Sequence, residues 1–564
     1  MRQWMVAAKK ADFYVIAEKF HVDPVVARII RNREVIGEKN IRIYLGGNLS
    51  DLSDPHQMKD MDRLVEILAQ KIRKQVHIRI IGDYDVDGVT SSHLFLTALR
   101  RVGAKVDVII PHRIQDGYGL SLHLLQQANE AGVDTILTCD NGIAAIDEIA
   151  WAKAQKMTVL VTDHHAVPFE EHEGRRTEKK SLADAVVNPH QQDCGYPYKE
   201  LCGAGVAWNV IRVLYENYDM DKREAEDLLD FVAMATVCDV MSLTGENRIL
   251  VKEGLKRIRH TKNIGLQALM QACNVQPENI SAYHFGYVLG PCVNATGRLD
   301  TARHALRLFE TGQETEAEEI ARDLVDLNQE RKELTLQGVE MAKKLCEEGG
   351  YENDPVLVLF LPDVHESIAG LIAGRIREMY NRPVFVLTRG EEGVKGSGRS
   401  TENYSMYENM CGCAELFTKF GGHPMAAGLS LPEENVEKFR RKINENCPLT
   451  VEEVCPDIHI DMAMPVGYAS TELVHQFALL EPFGKDNPSP LFADRNLSIS
   501  RMWLIGKNRN VLRMSVLSEY GQPVPVIFFR DVETLFAYFT EKFGQKVAEA
   551  AFAGKATVPA ADLA

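Results

Sequence analysis

Asp83, Asp85 and Asp87 alternate within Gly82-Asp83-Tyr84-Asp85-Val86-Asp87-Gly88, between the apolar run Val76 to Ile81 and the amphipathic segment Val89 to Arg101. In an extended backbone successive side chains flip, so the three carboxylates would share one side of the turn leaving a strand. Like charges that close repel unless a cation sits among them. Hard divalent ions such as magnesium or manganese take this kind of oxygen ligand. A solvated acidic turn or a calcium-type loop would use the same residues, and this stretch alone does not separate the readings. Three further groups bear on it: Asp140 in Cys139-Asp140-Asn141-Gly142, Asp163-His164-His165, and Asp239 in Val237-Cys238-Asp239-Val240-Met241. A lone acid after a strand is commonplace, and a lone His-His pair is more often a surface or capping feature. Together they make a mixed oxygen and imidazole set suited to two metal ions.

The elements that must position these groups can be read from the alternation of patterns. Val76 to Ile81, Val106 to Ile110, Thr135 to Thr138, Val159 to Thr162 and Ala185 to Val187 are short, β-branched and apolar, as strands buried on both faces would be. Helical segments such as Leu120 to Ala131 and Ala144 to Gln155 separate them, which predicts an α/β fold with a parallel sheet. Asp83, Asp140 and Asp163 then follow the carboxyl ends of strands, where open α/β sheets bind ligands. Asp239 ends an apolar helical run that starts near Leu228.

Composition sets outer limits. A chain of 564 residues predicts three or four domains, and 45% hydrophobic with 26% charged residues is ordinary for a soluble globular protein. No run approaches a membrane span, and Met1-Arg2-Gln3-Trp4 does not begin a signal peptide, so the expected location is the cytosol. The eleven cysteines lack zinc or redox spacing and read as reduced packing residues. A net charge of −16 argues against indiscriminate coating of nucleic acid but allows a basic groove on an acidic body.

Four stretches, GDYDVDG (82–88), CDNG (139–142), DHH (163–165) and VCDV (237–240), stand in the order of the motifs of the DHH phosphoesterase family, which the chain resembles over about residues 50 to 530. Within that family it is similar to the bacterial single-strand-specific 5′ to 3′ exonucleases. The resemblance implies two divalent cations, Mn2+ or Mg2+, and hydrolysis of single-stranded DNA to 5′-mononucleotides. It also implies a role in DNA repair and recombination, as a monomer in the bacterial cytoplasm, with a single-strand-binding protein and a helicase as the kinds of partner that supply substrate. Asp85 and Asp87 would be paired ligands, one to each ion. Asp140 and Asp239 would bridge, and His164 would be the imidazole ligand. His165 would face the scissile phosphate, oriented by Asp163. Smaller family members carry a histidine where Ile81 stands, so Asp83 is the candidate to fill that vacancy.

The same resemblance organises the rest. The loop Pro111 to Gly119 offers Arg113 as a 5′-phosphate contact and Tyr118 as a base-stacking or duplex-blocking residue. In Asn294-Ala295-Thr296-Gly297-Arg298, Gly297 is expected to permit a turn and Arg298 to grip a phosphate at the rim of the site. Cys292 stands where a larger, often basic residue is expected. Residues 170 to 182 read as a solvated insertion. Ile320, Leu324, Leu327, Leu334, Met341 and Leu345 predict one long bridging helix, Glu314 to Glu347, whose pattern lapses at Arg331 and Gly338.

A DHH-associated α/β domain would follow, with Arg375, Ser397, Arg399 and His423 as donors to nucleic acid and glycine pairs that admit a phosphate to the backbone. From Arg375 to Arg399 there are six basic and three acidic residues, against the acidic trend of the whole. An OB-like domain closes the series, with Leu497 to Trp503, Val511 to Val516 and Val524 to Phe529 as strands and a helix near Val532 to Phe543. Trp503, Lys507 and Arg509 are its candidate platform. A fourth and fifth strand are not evident, and an Ala-rich tail follows. The expected divisions are 1–50, 51–312, 313–348, 349–450, 451–546 and 547–564. Two other readings remain: a phosphodiesterase of this family acting on short oligonucleotides or cyclic dinucleotides, and a non-catalytic DNA-binding scaffold.

Overall fold

The structure is a computed structural model that describes residues 4–113, 116–117, 119–172, 175–351, 354–390, 393–449, 458–507, 509–529 and 531–554. It divides into two compact units, residues 46–456 with 482–488, and residues 1–45 with 457–481 and 489–564.

The larger unit begins with a five-stranded parallel sheet in the order Val106–Ile109, Ile78–Ile81, Thr135–Cys139, Thr158–Thr162, Ala185–Val187. Every residue of Ile78–Ile81 and Thr135–Cys139 is buried, as the continuous apolar runs predict, whereas the edge strand Val106–Ile109 is half-buried. The chain runs from Ile78–Ile81 to a neighbour on one side, then crosses to Thr135–Cys139 on the other. That reversal makes a topological switch point between the strands that precede Asp83 and Asp140. The helix Val86–Arg101, buried along most of its length, packs on Gly203–Asn217 and Leu229–Cys238 in the main core. The insertion at 170–182 contains a two-stranded hairpin, Phe169–His172 with Arg175–Glu178.

The long helix spans Glu314–Glu348 and serves two cores. Ile320 and Leu324 belong to the first, Val339, Ala342 and Cys346 to a second core shared with the helix Glu366–Tyr380. The lapse at Gly338 falls where the two helices are in close contact: a Cβ there would come within 2.2 Å of Ile372 Cδ1, which would have to move. Beyond it, a mixed five-stranded sheet runs Lys419–His423, Ala426–Leu431, Gly393–Arg399, Val384–Gly390, Leu357–Phe360.

In the smaller unit, Ser498–Ile505, Val511–Leu517 and Pro523–Phe528 form an antiparallel sheet covered by the helices Val532–Phe543 and Gln545–Phe552. Part of the expected tail is therefore helix: Ala548, Ala551 and Phe552 are buried in this core. The further strand pieces lie upstream of the sheet, where Ile458–Ile460 pairs with Trp4–Val6 and Met462–Ala463 with Phe492–Ala493. Residues 4–45, expected as a separate segment, are fastened here. Arg33 gives Asp461 a two-pronged ion pair at 2.7 and 3.0 Å, and Asn32 Nδ2 donates to the same carboxylate at 3.1 Å. Among the described residues no helix is long and apolar enough to cross a membrane.

Candidate metal centre and basic cleft

The strand Ile78–Ile81 ends one residue before Gly82, and the next helix starts at Val86, so the three alternating aspartates are not on one extended segment. The side-sharing argument from alternation is thus corrected, because the turn after the strand, the helix cap and the first helical turn each supply one carboxylate. Asp83 lies in the turn. Asp85 caps the helix, its Oδ1 accepting from Gly88 N at 3.1 Å. Asp87 sits in the first helical turn, with both oxygens held by backbone amides of the helix Gly203–Asn217: Gly203 N donates at 2.6 Å and Ala204 N at 2.7 Å. The turn is tight. A Cβ on Gly88 would lie 2.4 Å from the Asp83 carbonyl, and one on Gly203 2.7 Å from Asp140 Cβ. Those Gly203 and Ala204 amides escaped the sequence reading, although Cys202-Gly203-Ala204-Gly205 ahead of a helical run was a usable signal.

Asp140 follows the strand Thr135–Cys139 at φ 61°, in the left-handed region that costs a residue with a Cβ some strain. Asp163 and His164 follow Thr158–Thr162, and Asp239 is the C-cap of Leu229–Cys238. Candidate ligand atoms fall into three sets, each within 4.8 Å: Asp83, Asp85 and Asp140; Asp87, His164 and Asp239; Asp140, His164 and His165. Asp85 and Asp87 are in different sets, and Asp140 and His164 each join two.

These residues fit divalent cations on the evidence of their own unmet valence. Asp83 Oδ1 and Asp140 Oδ1 are buried without a hydrogen-bond partner, a costly state for a carboxylate. His164 Nε2 lies 3.0 Å from that Asp140 oxygen, 3.6 Å from Asp239 and 3.7 Å from Asp87, yet it makes no hydrogen bond that satisfies Asp140. The ligand atoms of each set lie within 4.8 Å of one another, a spacing that a shared cation can span. The electrostatics agree. Burial, then repulsion from Asp85, pushes the Asp83 carboxyl well above its ordinary range. Burial followed by Asp87 and Asp85 does the same to Asp140 and Asp239, and burial lowers His164.

His165 is set apart. Asp163 Oδ1 takes a 2.7 Å hydrogen bond from its Nδ1 and also receives the backbone amides of His164 and His165. Burial, the largest single effect, opposes protonation of His165, but the hydrogen bond to Asp163 together with the charges of Asp163, Asp239 and Asp87 outweighs it and raises the imidazole to about 9. Asp163 is fully buried, which favours its neutral form, yet the His165 hydrogen bond, the charges of His165 and His164 and the backbone amide of His165 together hold it below the usual carboxylate range.

Next to the acids lies a cavity of about 480 Å³ lined by Arg113, Arg298, Ser397 and Arg399, with Lys395 and Lys419. Arg113 lies 4.0 Å over the ring of Tyr84, between Asp83 and Asp85, and its Nε donates to Gly297 O at 3.1 Å. Gly297 is not in a turn, contrary to the sequence reading. It lies within the helix Gly290–Leu299, where a Cβ would come 2.3 Å from Tyr84 O, so the glycine is needed for close contact. The same helix fixes the acidic turn through Asn294 Oδ1, which accepts from Val86 N at 3.1 Å. Arg298 donates to Ser367 O at 2.8 Å. Burial, then repulsion from Arg113, Arg331 and Arg399, lowers Arg298 to about 9; a guanidinium keeps its charge even so.

Other expected nucleic-acid residues are not in the cavity. Arg375 is exposed and 3.5 Å from Glu378, and His423 is exposed at the end of its strand. Of the glycines expected to admit phosphate, Gly396, Gly421 and Gly428 line the cavity; a Cβ on Gly396 or Gly398 would collide with Leu387 or Met406, whereas Gly421 and Gly428 have room for one. Tyr118 lies outside the described residues. Lys395 and Lys419 went unnoticed, since an isolated lysine on a strand carries no sequence signal.

A switch point that gathers unpaired carboxylates beside a cleft of guanidiniums suits cations and a polyanion bound together, the arrangement of a metal-dependent phosphoesterase. Residues 77–236 match the DHH family N-terminal domain, 353–447 the DHHA1 domain and 460–556 the RecJ OB domain. The chain is 34% identical to the single-stranded-DNA-specific exonuclease RecJ of Haemophilus influenzae, over 88% of this chain and 88% of that protein. It is 32% identical to the RecJ of Bacillus subtilis over 90% of this chain, where it spans 63% of the relative's length. Among solved structures, RecJ of Thermus thermophilus in complex with Mn2+ superposes with a TM-score of 0.78 at 27% identity, covering 94% of this chain and 74% of that one. The same protein with Mg2+ gives 0.73 at 26%, over 94% and 73%. The chain belongs to the RecJ family of single-stranded-DNA-specific exonucleases.

Proposed function

We propose that this chain degrades single-stranded DNA from the 5′ end, releasing 5′-mononucleotides, with the terminal phosphate seated in the arginine cavity. In class it is a metal-dependent single-strand exonuclease, a phosphodiester hydrolase that uses Mn2+ or Mg2+. Asp83, Asp85, Asp87, Asp140, His164 and Asp239 would hold two ions. When bound, such ions lower the pKa of a water and neutralise charge on the phosphoryl oxygens.

The chain's own groups do the rest. The amides of Gly203 and Ala204 hold Asp87 in orientation. Asp163 fixes the His165 ring through Nδ1 and favours its protonated form. His165 can therefore stabilise an equatorial phosphoryl oxygen or give a proton to the leaving 3′ oxygen. Arg113, Arg298 and Arg399 hold the terminal phosphate, and their forks favour a dianion over a hydroxyl. A role in DNA repair and recombination in the bacterial cytoplasm, as a monomer fed by a single-strand-binding protein and a helicase, belongs to this reading.

The observation that carries the polarity is the cluster of three guanidiniums in a cavity beside the carboxylates. Mn2+ with a 5′-labelled single strand, a 3′-labelled one and a duplex control tests it. Early release of the 5′ label as a mononucleotide, with the duplex intact and chelator abolishing the reaction, is the expected result. Release from the 3′ end first would overturn the polarity.

A further inference from the structure

Tyr283 and Tyr287 are 63% and 71% exposed, and their rings stack on each other, centroids 5.1 Å apart and planes 25° from parallel. Their backbone is unusual. The helical turn Ala282–His284 passes without a break through a π-helical turn, Phe285–Leu289, into the helix Gly290–Leu299. Pro291 accounts for the wide turn, since inside a helix its ring clashes with the carbonyl four residues back, that of Tyr287, and it has no N–H to donate.

The inner face of this turn packs on the helix end that leads into Asp239. Cys238 Sγ, one residue before Asp239, donates to Phe285 O at 3.3 Å. A Cβ on Gly290 would lie 2.3 Å from Cys238 Sγ, and one on Gly286 3.5 Å from Val237 Cγ1. The tyrosines are therefore mounted on a rigid support that touches the segment ending in Asp239. On the other side of Asp239, Val240 is 63% exposed at φ 55°, a strained conformation for a β-branched residue.

We propose that the Tyr283–Tyr287 stack is a nucleobase platform that receives an unpaired base of the single strand next to the metal centre. The inference rests on the single-strand exonuclease reading above. A single strand offers a π face at every nucleotide, and an exposed aromatic pair binds it irrespective of sequence. Rigid mounting beside Asp239 lets the platform fix the strand's position relative to the reacting phosphate, while the arginine cavity holds its end.

The test uses the full chain and 5′-phosphorylated single strands that carry one 2-aminopurine at successive positions, bound in chelator so that no hydrolysis occurs. The wild type should quench 2-aminopurine at one or two contiguous positions. The double variant Tyr283→Ala with Tyr287→Ala should lose that quenching and weaken the Kd by about tenfold. Tyr→Phe at both positions should keep both, and the melting temperatures of all three proteins should agree. Mn2+-dependent hydrolysis by the same wild-type preparation separates the two readings. If it hydrolyses single strands and the alanine variant binds and quenches as the wild type does, the platform alone is overturned. A wild type that neither binds nor hydrolyses single strands overturns both.

Discussion

Asp140 contributes to two of the three ligand sets while its Oδ1 has no protein partner, so it is the side chain on which the metal centre most depends. Asn at that position keeps the size and tolerates the left-handed backbone at φ 61°. Asp140→Asn is expected to lower Mn2+-dependent hydrolysis by several orders of magnitude with an unchanged circular dichroism spectrum. In chelator the same variant should melt higher, because one of the crowded like charges is gone. Near-normal turnover would contradict the assignment. Arg113 makes a different prediction, because it faces the cavity and not the ligand sets. Arg113→Ala should raise KM for 5′-phosphorylated strands by about 10- to 100-fold, the loss of a charge-assisted contact, and change KM for 5′-hydroxyl strands much less. Equal losses on both substrates would misplace the phosphate pocket.

Among the elements, the helix Leu229–Cys238 ends in Asp239 and begins beside a second buried acid, Asp230, far along the helix from the metal ligands. Burial raises Asp230 to about 6, against hydrogen bonds from Thr261 Oγ1 and Phe231 N that favour the ionised form. A carboxyl raised from its unfolded value near 4 binds its proton more tightly when folded. Its contribution to stability is thus present below about pH 4 and is lost as pH rises through 6, about 3 kcal/mol in all. Asp230→Asn should abolish that decline and make the protein more stable at pH 7 to 8. Denaturant titrations at pH 4, 5, 6 and 7.5 measure it, and a wild-type profile that rises through this window would refute the assignment.

At the scale of the whole molecule, the amino-terminal segment and the carboxyl-terminal region form one unit through Asp461, which is buried and receives Arg33, Asn32 and the amide of Leu491. Truncating it leaves a buried guanidinium without its carboxylate, which costs about 3–5 kcal/mol. Asp461→Ala is expected to split urea unfolding into two transitions, the early one reporting the smaller unit. The Mn2+-dependent activity of the larger unit should persist up to the later one. A single transition at the wild-type midpoint would show that the clamp does not hold the unit together.

The strands, their parallel arrangement and the acids at their ends were legible in the sequence, because a strand buried on both faces must be written as a short apolar run and a cation site as carboxylates. The long helix was legible for the same reason of periodicity. What the order of residues could not convey was proximity across the chain. Asp87 depends on amides of Gly203 and Ala204, 116 and 117 positions away. Gly297 is glycine because Tyr84 O passes beneath it, not because the chain turns there. Arg375 and His423 have the composition of phosphate ligands and stand exposed outside the cavity, while Lys395 and Lys419, silent as isolated residues, line it. Local pattern determines which elements form, since propensity and burial periodicity act over a few residues. Which charges meet, and which segment closes which unit, was decided only by tertiary packing, where contacts between distant residues carry no local mark.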